Sequence, residues 1–347
     1  MKRFYIFILC CSLACIGASY LLFFHPITEK RYNKIMDYYI ASRLTRHLAT
    51  FEEKVDVIRD FVHENVHPIA GYPNRLDTVA IDKLLSGIGW CDQQSRVFMQ
   101  LARPIGITSR LLFLRNHEGI SPHSVVEVLT PDNRWVLVSV LYRLDLVTKD
   151  GRLATQYDIK NDPAIITNDK RVKMRARFEE KWTDAEFLSI FSNAPSYIVD
   201  KKGVMLDFLR SIPLSWIRPV VNIIQDRYLE GKRNETKDIY EFKMLKTRGY
   251  HLLGYYDKSE KLYAEIIRKS NNPNLRYKAE FYRALLLKDE GRYNNAYRYL
   301  SRLVEIEKTN PYINYLYGLR ANVLRKMDRV KEAEEDLLKI KYLLRAY

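Results

Sequence analysis

Cys91 stands in the run Gly87-Ile88-Gly89-Trp90-Cys91-Asp92-Gln93-Gln94 and is the only cysteine outside an N-terminal apolar stretch. The residues after it, with Gln94, Val97-Phe98 and Leu101 on one face, read as a helix that starts at Cys91 and stops near Pro104 and Gly106. A thiol at a helix N-terminus is biased toward the nucleophilic thiolate. Its proton needs an acceptor, and His123 opens the strand-like run His-Ser-Val-Val-Glu-Val. A cysteine paired with an imidazole is the arrangement for attack on a carbonyl carbon. An oxyanion hole would come from the Cys91 N–H plus one side-chain donor, with Trp90, Gln93 and Gln94 as candidates. The plain alternatives are a buried structural cysteine and a polar helix face for the two glutamines. No metal-ligand spacing and no phosphate-cradling glycine loop occurs, so neither metal nor cofactor is expected.

Several elements must hold these groups. Phe51, Val55, Ile58 and Phe61-Val62 recur at helical spacing. A loop containing His67-Pro68, Gly71 and Pro73-Asn74 follows, then a short helix capped by Asp77 or Thr78 and ended by Gly87. Beyond the Cys91 helix come three strand-like runs, Ser109–Arg115, His123–Thr130 and Arg134–Leu141, the last two joined by the turn Pro131-Asp132-Asn133. Among the other histidines, His63 lies on a helix as a surface or packing residue, whereas His67 and His117 lie in loops close to the cleft.

In this order, Gly89-x-Cys91, Phe98, Leu101, Gly106-Ile107-x-x-Arg110, His123 with Glu127-Val128, and Trp135-Val136-Leu137-Val138 resemble the transglutaminase-like (papain-like) superfamily over about residues 50 to 145. The resemblance implies an α+β core with a Cys-His-Asp triad, in which Cys91 is the nucleophile and His123 the general base. At the position of the family aspartate this chain has Ser139. A serine can accept a hydrogen bond from the imidazole but cannot offset the charge of an imidazolium. Asp145, six residues on, could substitute if the strand end curls back.

Residues Phe4 to Phe24 are 21 consecutive positions without a charge. As a helix they span about 30 Å, the hydrocarbon thickness of a bilayer. A cleaved signal peptide has a shorter apolar stretch, about 7–15 residues. The stretch Ser12-Leu13-Ala14-Cys15 only faintly resembles a lipoprotein processing site. An uncleaved single-pass anchor in a bacterial inner membrane is therefore expected. The N-terminus is placed inside and the body in the periplasm, although Lys30, Arg31 and Lys34 leave the charge bias nearly even. The chain carries 57 Lys+Arg against 42 Asp+Glu, a net +15, which favours anionic partners. No nucleic-acid motif accompanies that charge, so nucleic acid is not expected.

The C-terminal third repeats itself. Gly254-Tyr255-Tyr256 with Ser259 recurs as Gly291-Arg292-Tyr293 with Ala296 and as Asp328-Arg329-Val330 with Ala333, an offset of 37 residues each time. Tyr263, Leu300 and Leu337 keep the period, as do Ile266, Leu303 and Ile340. A small residue just after a turn is the logic of stacked helical hairpins. The Gly-x-Tyr-x-x-Ala pattern resembles tetratricopeptide (TPR) repeats, lengthened by three residues. From Glu241 onward there are 23 Lys+Arg against 14 Asp+Glu, and 14 of the 25 tyrosines. These residues form either a basic aromatic surface for a protein or acidic glycan partner, or internal packing with a solvated charged face.

The expected organisation is an anchor at 4–24, a basic helical stalk at 25–50, a transglutaminase-like domain at 51–150, a mostly helical connection at 151–240 and TPR-like repeats at 241–347. Within the connection, Val204–Ile224 reads as a core helix pair or as an interfacial segment. The fold class is thus an α+β papain/transglutaminase-like core with a C-terminal α-helical repeat domain and one N-terminal transmembrane helix. Two functions follow. One is a membrane-anchored cysteine acyl-transfer enzyme (peptidase, amidase, or protein cross-linking or deamidating enzyme) acting on a protein or peptide. The other is a catalytically weakened scaffold whose repeats bind partners in an envelope or surface-polysaccharide assembly.

Overall fold

In the computed structural model, the described residues are 28–67, 80–114, 123–141, 143–144, 146–167, 196–200, 213–233, 238–306 and 312–343. The apolar run 4–24, His117, Asp77, Thr78 and Asp145 lie outside them. Among the described residues no helix is long and apolar enough to cross a membrane.

Four helices open the described chain: α1 (Glu29–Thr45), α2 (Phe51–Asn65), α3 (Ala80–Ser86) and α4 (Cys91–Ala102). Thr50 and Glu53 close a reciprocal capping box at the start of α2, with Thr50 N–H to Glu53 Oε2 at 2.9 Å and Glu53 N–H to Thr50 Oγ1 at 3.2 Å. Helix α1 is not a stalk. Tyr32, Met36, Ile40 and Ala41 are fully buried in the same apolar core as Val55, Ile58 and Val62 of α2 and Val97, Phe98 and Leu101 of α4. The exposed cations Lys30, Arg31 and Lys34 suggest a solvated helix, but they occupy only its first turns. The remainder is apolar enough to be drawn inside.

Strands β1 (Ser109–Leu114), β2 (His123–Leu129), β3 (Trp135–Val138) and β4 (Ser196–Asp200) form one sheet in the order β3-β2-β1-β4. Their pairings are antiparallel, with Leu111 opposite Val126 and Val126 opposite Val138. Asn133 adopts φ 61° in the turn between β2 and β3, a conformation that asparagine tolerates better than most residues. Strand β4 has no counterpart among the runs read from sequence. Alternation gives the sheet two buried faces. Leu111, Val126, Val128, Val136 and Val138 join the helical core, while Leu112, Leu114, Val125 and Leu137 pack with Leu144, Leu146, Ala154 and Ile159. Two short helices, α5 (Gln156–Asn161) and α6 (Ala164–Thr167), follow that second layer.

Helix α7 (Leu214–Gly231) packs against α1, where the Tyr228 and Tyr32 rings stack with centroids 3.8 Å apart. It runs as one helix through Pro219, and residues 204–212 of the expected helix pair lie outside the described residues. Three helical hairpins complete the chain: α8 (Ile239–Leu252) with α9 (Tyr256–Lys269), α10 (Pro273–Asp289) with α11 (Tyr293–Ile306), and α12 (Ile313–Lys326) with α13 (Val330–Leu343). The 37-residue period is a period of geometry. Gly254, Gly291 and Asp328 all take positive φ, at 80°, 78° and 59°. Each hairpin closes with the same pair of main-chain bonds, Gly254 N–H to His251 C=O and Tyr255 N–H to Tyr250 C=O in the first. The second uses Gly291 to Lys288 and Arg292 to Leu287, and the third Asp328 to Arg325 and Arg329 to Leu324. Ser259, Ala296 and Ala333 are fully buried where paired helices cross, because a larger side chain would push them apart.

The hairpins do not stand away from the α+β core. Their first helices, α8, α10 and α12, all dock on α2 and on the segment leading to Cys91. Arg248 of α8 is fully buried. It donates from Nη2 to Asn65 Oδ1 (2.8 Å) and Leu84 C=O (3.0 Å), and its guanidinium lies 3.8 Å from the Tyr282 ring centroid. Lys288 of α10 pairs with Glu64, and Asn322 of α12 donates to Glu64 Oε1 at 3.0 Å.

Candidate functional site

Cys91 is the first residue of α4, and its half-buried thiol is a free cysteine. Trp90 precedes the helix with extended backbone, and its N–H donates to Gln93 Oε1 at 2.9 Å. Gln93 therefore acts as the acceptor that caps the helix start. Gln94 is also buried, and its Nε2 donates to Val66 C=O at 2.6 Å. Both glutamines brace the loop ahead of Cys91, which explains polar residues on a buried helix face. Trp90 differs from them, with its side chain 37% exposed beside the thiol.

The thiol faces β2. Its partners are the main chain and hydroxyl of Ser124, the residue after His123, and the main chain of Asp92. One turn along α4, Ser95 Oγ donates to Ser124 C=O at 3.4 Å. Burial pushes the Cys91 thiol above its ordinary range. The Ser124 main chain opposes that shift, the adjacent Asp92 carboxylate adds to it, and the Asp92 main chain and Ser124 hydroxyl again favour the thiolate. The helix-terminus bias toward thiolate is thus outweighed by partial burial and the neighbouring Asp92 carboxylate. Asp92 is itself buried, and neither carboxylate oxygen has a hydrogen-bond partner among the described residues.

His123 is buried as the first residue of β2 and pairs across the sheet with Leu114. Ser139 follows β3, is fully buried, and forms an isolated bridge with Leu144. Its hydroxyl has no hydrogen-bond partner among the described residues. The strand register sets Ser139 on the face that carries Val125 and Leu137, the parity of His123, whereas Ser124 shares the opposite face with Val126, Val128 and the helical core. Arg110, Glu127 and Trp135 meet on that same face. Arg110 Nε lies 2.6 Å from Glu127 Oε2, and its guanidinium lies 4.0 Å from the Trp135 ring centroid. Burial pushes the Glu127 carboxyl up against the pull of Arg110. These positions cross-brace three strands.

Sequence reasoning placed His67 near the cleft without a role. Its main chain joins the loop that delivers Cys91, with His67 N–H to Gly87 C=O and Gly89 N–H to His67 C=O, both at 3.0 Å. Its buried ring lies 4.2 Å from that of Tyr315 and 4.9 Å from that of Phe281. Burial, aided by the Arg248 charge and opposed by a bond to the Glu64 main chain, lowers its pKa to about 3. The ring is a neutral wedge between core and hairpins.

Tyr282 was also missed, because its partner lies far away in the chain. Its hydroxyl reaches Asn65 C=O at 3.1 Å and Gly87 C=O at 3.3 Å. Gly87 has φ +71°, and a Cβ there would sit 1.7 Å from Tyr282 Oη. Gly89 is confined too, since a Cβ would lie 2.8 Å from Val66 Cγ1. His251 extends this buried network. Its Nδ1 lies 3.1 Å from Arg248 Nη1 and its Nε2 lies 3.1 Å from Asp289 Oδ2. An arginine can only donate, so Nδ1 accepts and Nε2–H donates to Asp289. Burial lowers the His251 pKa to about 4 despite Asp289. Burial alone would raise the Asp289 carboxyl, but Lys288 and His251 hold it well below the usual range.

Among the described residues no cluster of His, Cys, Asp and Glu could hold a metal. The model of the transglutaminase-like superfamily matches residues 38–140, a stretch that includes Cys91, His123 and Ser139. This is a transglutaminase-like domain in less than a third of the chain, and it takes in the second half of α1. The hairpins lie outside the match. No curated protein and no solved structure matches the chain significantly.

Proposed function

We propose that this protein is a membrane-anchored, transglutaminase-like cysteine acyl-transfer enzyme acting on a protein or peptide. The observation that carries the reading is the position of Cys91. It is the first residue of a helix inside the matched segment, with its thiol against the residue that follows His123. In the proposed reaction His123 takes the thiol proton as sulfur attacks an amide carbonyl. The imidazolium then protonates the leaving amine, and water or a second amine cleaves the thioester. The anchor is the uncharged run at 4–24, with the body outside the cytoplasm.

Three observations favour a second reading, a scaffold with a weakened site: the raised thiol pKa, the Ser139 hydroxyl without a hydrogen-bond partner among the described residues, and the alternation of β2, which turns His123 to the sheet face opposite Ser124 and the helix of Cys91. In that reading the outer surface of the hairpins recruits a protein or acidic glycan partner for envelope or surface-polysaccharide assembly. A peptide-directed affinity label, such as a peptide chloromethyl ketone that alkylates the thiol with loss of chloride, separates the two. Enzyme chemistry requires labelling at Cys91 that His123→Ala abolishes while iodoacetamide alkylation persists. Equal labelling with and without His123 would leave only the scaffold.

A further inference from the structure

We infer that the exposed face of α7 from Trp216 to Ile223 lies in the headgroup layer of the membrane that holds residues 4–24, and this rests on the anchor reading above. Trp216 is 73% exposed, and Val220 and Ile223 are each 38% exposed. With Pro219, also exposed, they stand at i, i+3, i+4 and i+7, which is one stripe of a helix. The opposite side of α7, through Val221, Ile224, Tyr228 and Leu229, is buried in the core. A water-facing helix row normally carries charge. Between Ser215 and Ile223 no exposed residue of α7 is charged. The half-buried Arg227 continues the row toward the helix end, while Arg218 turns to the other side and lies over Tyr255. A tryptophan in an apolar row that ends on an arginine is a composition suited to a helix lying at a lipid interface.

The occupant follows from where the rest of the chain goes. The uncharged run ends at Phe24, and α1 begins at Glu29. Helix α7 runs antiparallel along α1, so that Lys232 at its end lies 3.9 Å from Glu29. At 1.5 Å per residue the stripe lies about 14 to 24 Å along α7 from that point. With α7 parallel to the bilayer plane, the stripe meets the surface while the tether enters beside it. The exposed Lys30, Arg31 and Lys34 at the tether and the net charge of +15 suit an anionic leaflet.

The test uses the full chain in nanodiscs of phosphatidylcholine and phosphatidylglycerol. The four native cysteines are replaced by serine, and single spin labels are placed at Val220→Cys, Ile223→Cys, position 15 as an anchor reference and Ile306→Cys as a water reference. Collision rates with oxygen and with a water-soluble nickel chelate report depth. Labels at 220 and 223 are expected to favour oxygen several-fold over the label at 306, as the label at 15 does. Labels at 220 and 223 that match 306 while 15 favours oxygen would overturn this inference and leave the anchor standing. A water-like label at 15 would remove the anchor and the inference together.

Discussion

Tyr282 reaches the carbonyl of Gly87 across 195 residues of sequence, at 3.3 Å, and so ties the second hairpin to the loop that ends at Cys91. The same hydroxyl reaches Asn65 C=O, and the face of its ring carries the Arg248 guanidinium. Tyr282→Phe keeps the ring and removes only these bonds. It is expected to cost about 1–2 kcal/mol, the penalty for buried carbonyls left with fewer partners. Gly87→Ala strikes the same contact sterically at positive φ and is expected to cost more. Thermal melts of the two variants check the order, and a melt of Gly87→Ala equal to wild type would refute it.

Arg248→Lys is not a conservative change. A lysine cannot donate in one plane to Asn65, Leu84 and His251 while lying over Tyr282. Losing a buried hydrogen bond to a charged group costs about 1.5–3 kcal/mol. Limited proteolysis should then release the hairpins from the core. Arg248→Lys with wild-type protease resistance would show that the docking rests on apolar contacts alone.

His67 and His251 make stability depend on pH. Both are buried and neutral, with pKa values of about 3 and about 4 against 6.5 in the unfolded chain. The unfolded state therefore binds more protons below pH 6.5, and stability falls as pH drops from 6.5 through the folded values. At pH 5 each histidine removes about 2 kcal/mol relative to neutral pH. Tm should fall between pH 7.5 and 5, and His67→Gln should flatten the slope. A slope unchanged by that substitution would assign the effect to other groups.

Asp92 and Ser124 push the Cys91 thiol in opposite directions. Asp92→Asn removes a like charge and keeps the main-chain contact, so iodoacetamide should alkylate Cys91 faster at pH 7.5. Ser124→Ala removes a bond that favours the thiolate and should slow alkylation. Rates across pH 6 to 10 give the thiol pKa directly, and shifts of the same sign in both variants would contradict this electrostatic account.

Asp328 occupies the left-handed position that glycine fills in the first two hairpins. Asp328→Gly should stabilise the third hairpin by about 0.5–1 kcal/mol, since the positive φ strains a residue with a Cβ. Gly291→Ala should destabilise the second hairpin even though its surroundings are open, because φ is +78°. Hydrogen exchange in α11 and α13 reads each effect locally.

What was legible in the sequence was local or periodic. The start of the Cys91 helix, the strands β1 to β3 and the Pro131–Asn133 turn follow from short-range pattern. The 37-residue repeat follows because each hairpin meets its turn through the same main-chain bonds. The signature Arg110, Glu127 and Trp135 was visible as spacing, and the sheet shows that these residues brace one another. The apolar content of α1 is equally present in the sequence, but its exposed cations at one end give the pattern of a solvated helix, and only packing shows that Tyr32, Met36 and Ile40 are buried.

The sequence by itself determined that a lone thiol heads a helix in a transglutaminase-like segment, that no carboxylate stands at position 139, and that a helical repeat follows. Tertiary structure alone decided the rest. It folded α1 into the core, turned the first helices of all three hairpins onto α2, and wedged His67 between core and repeats. It also surrounded Cys91 with burial and the Asp92 carboxylate, so that the thiol rises where the helix end would lower it. The physical reason is range. Propensities, caps and turns act over a few residues, whereas desolvation and buried charge depend on which distant surfaces meet.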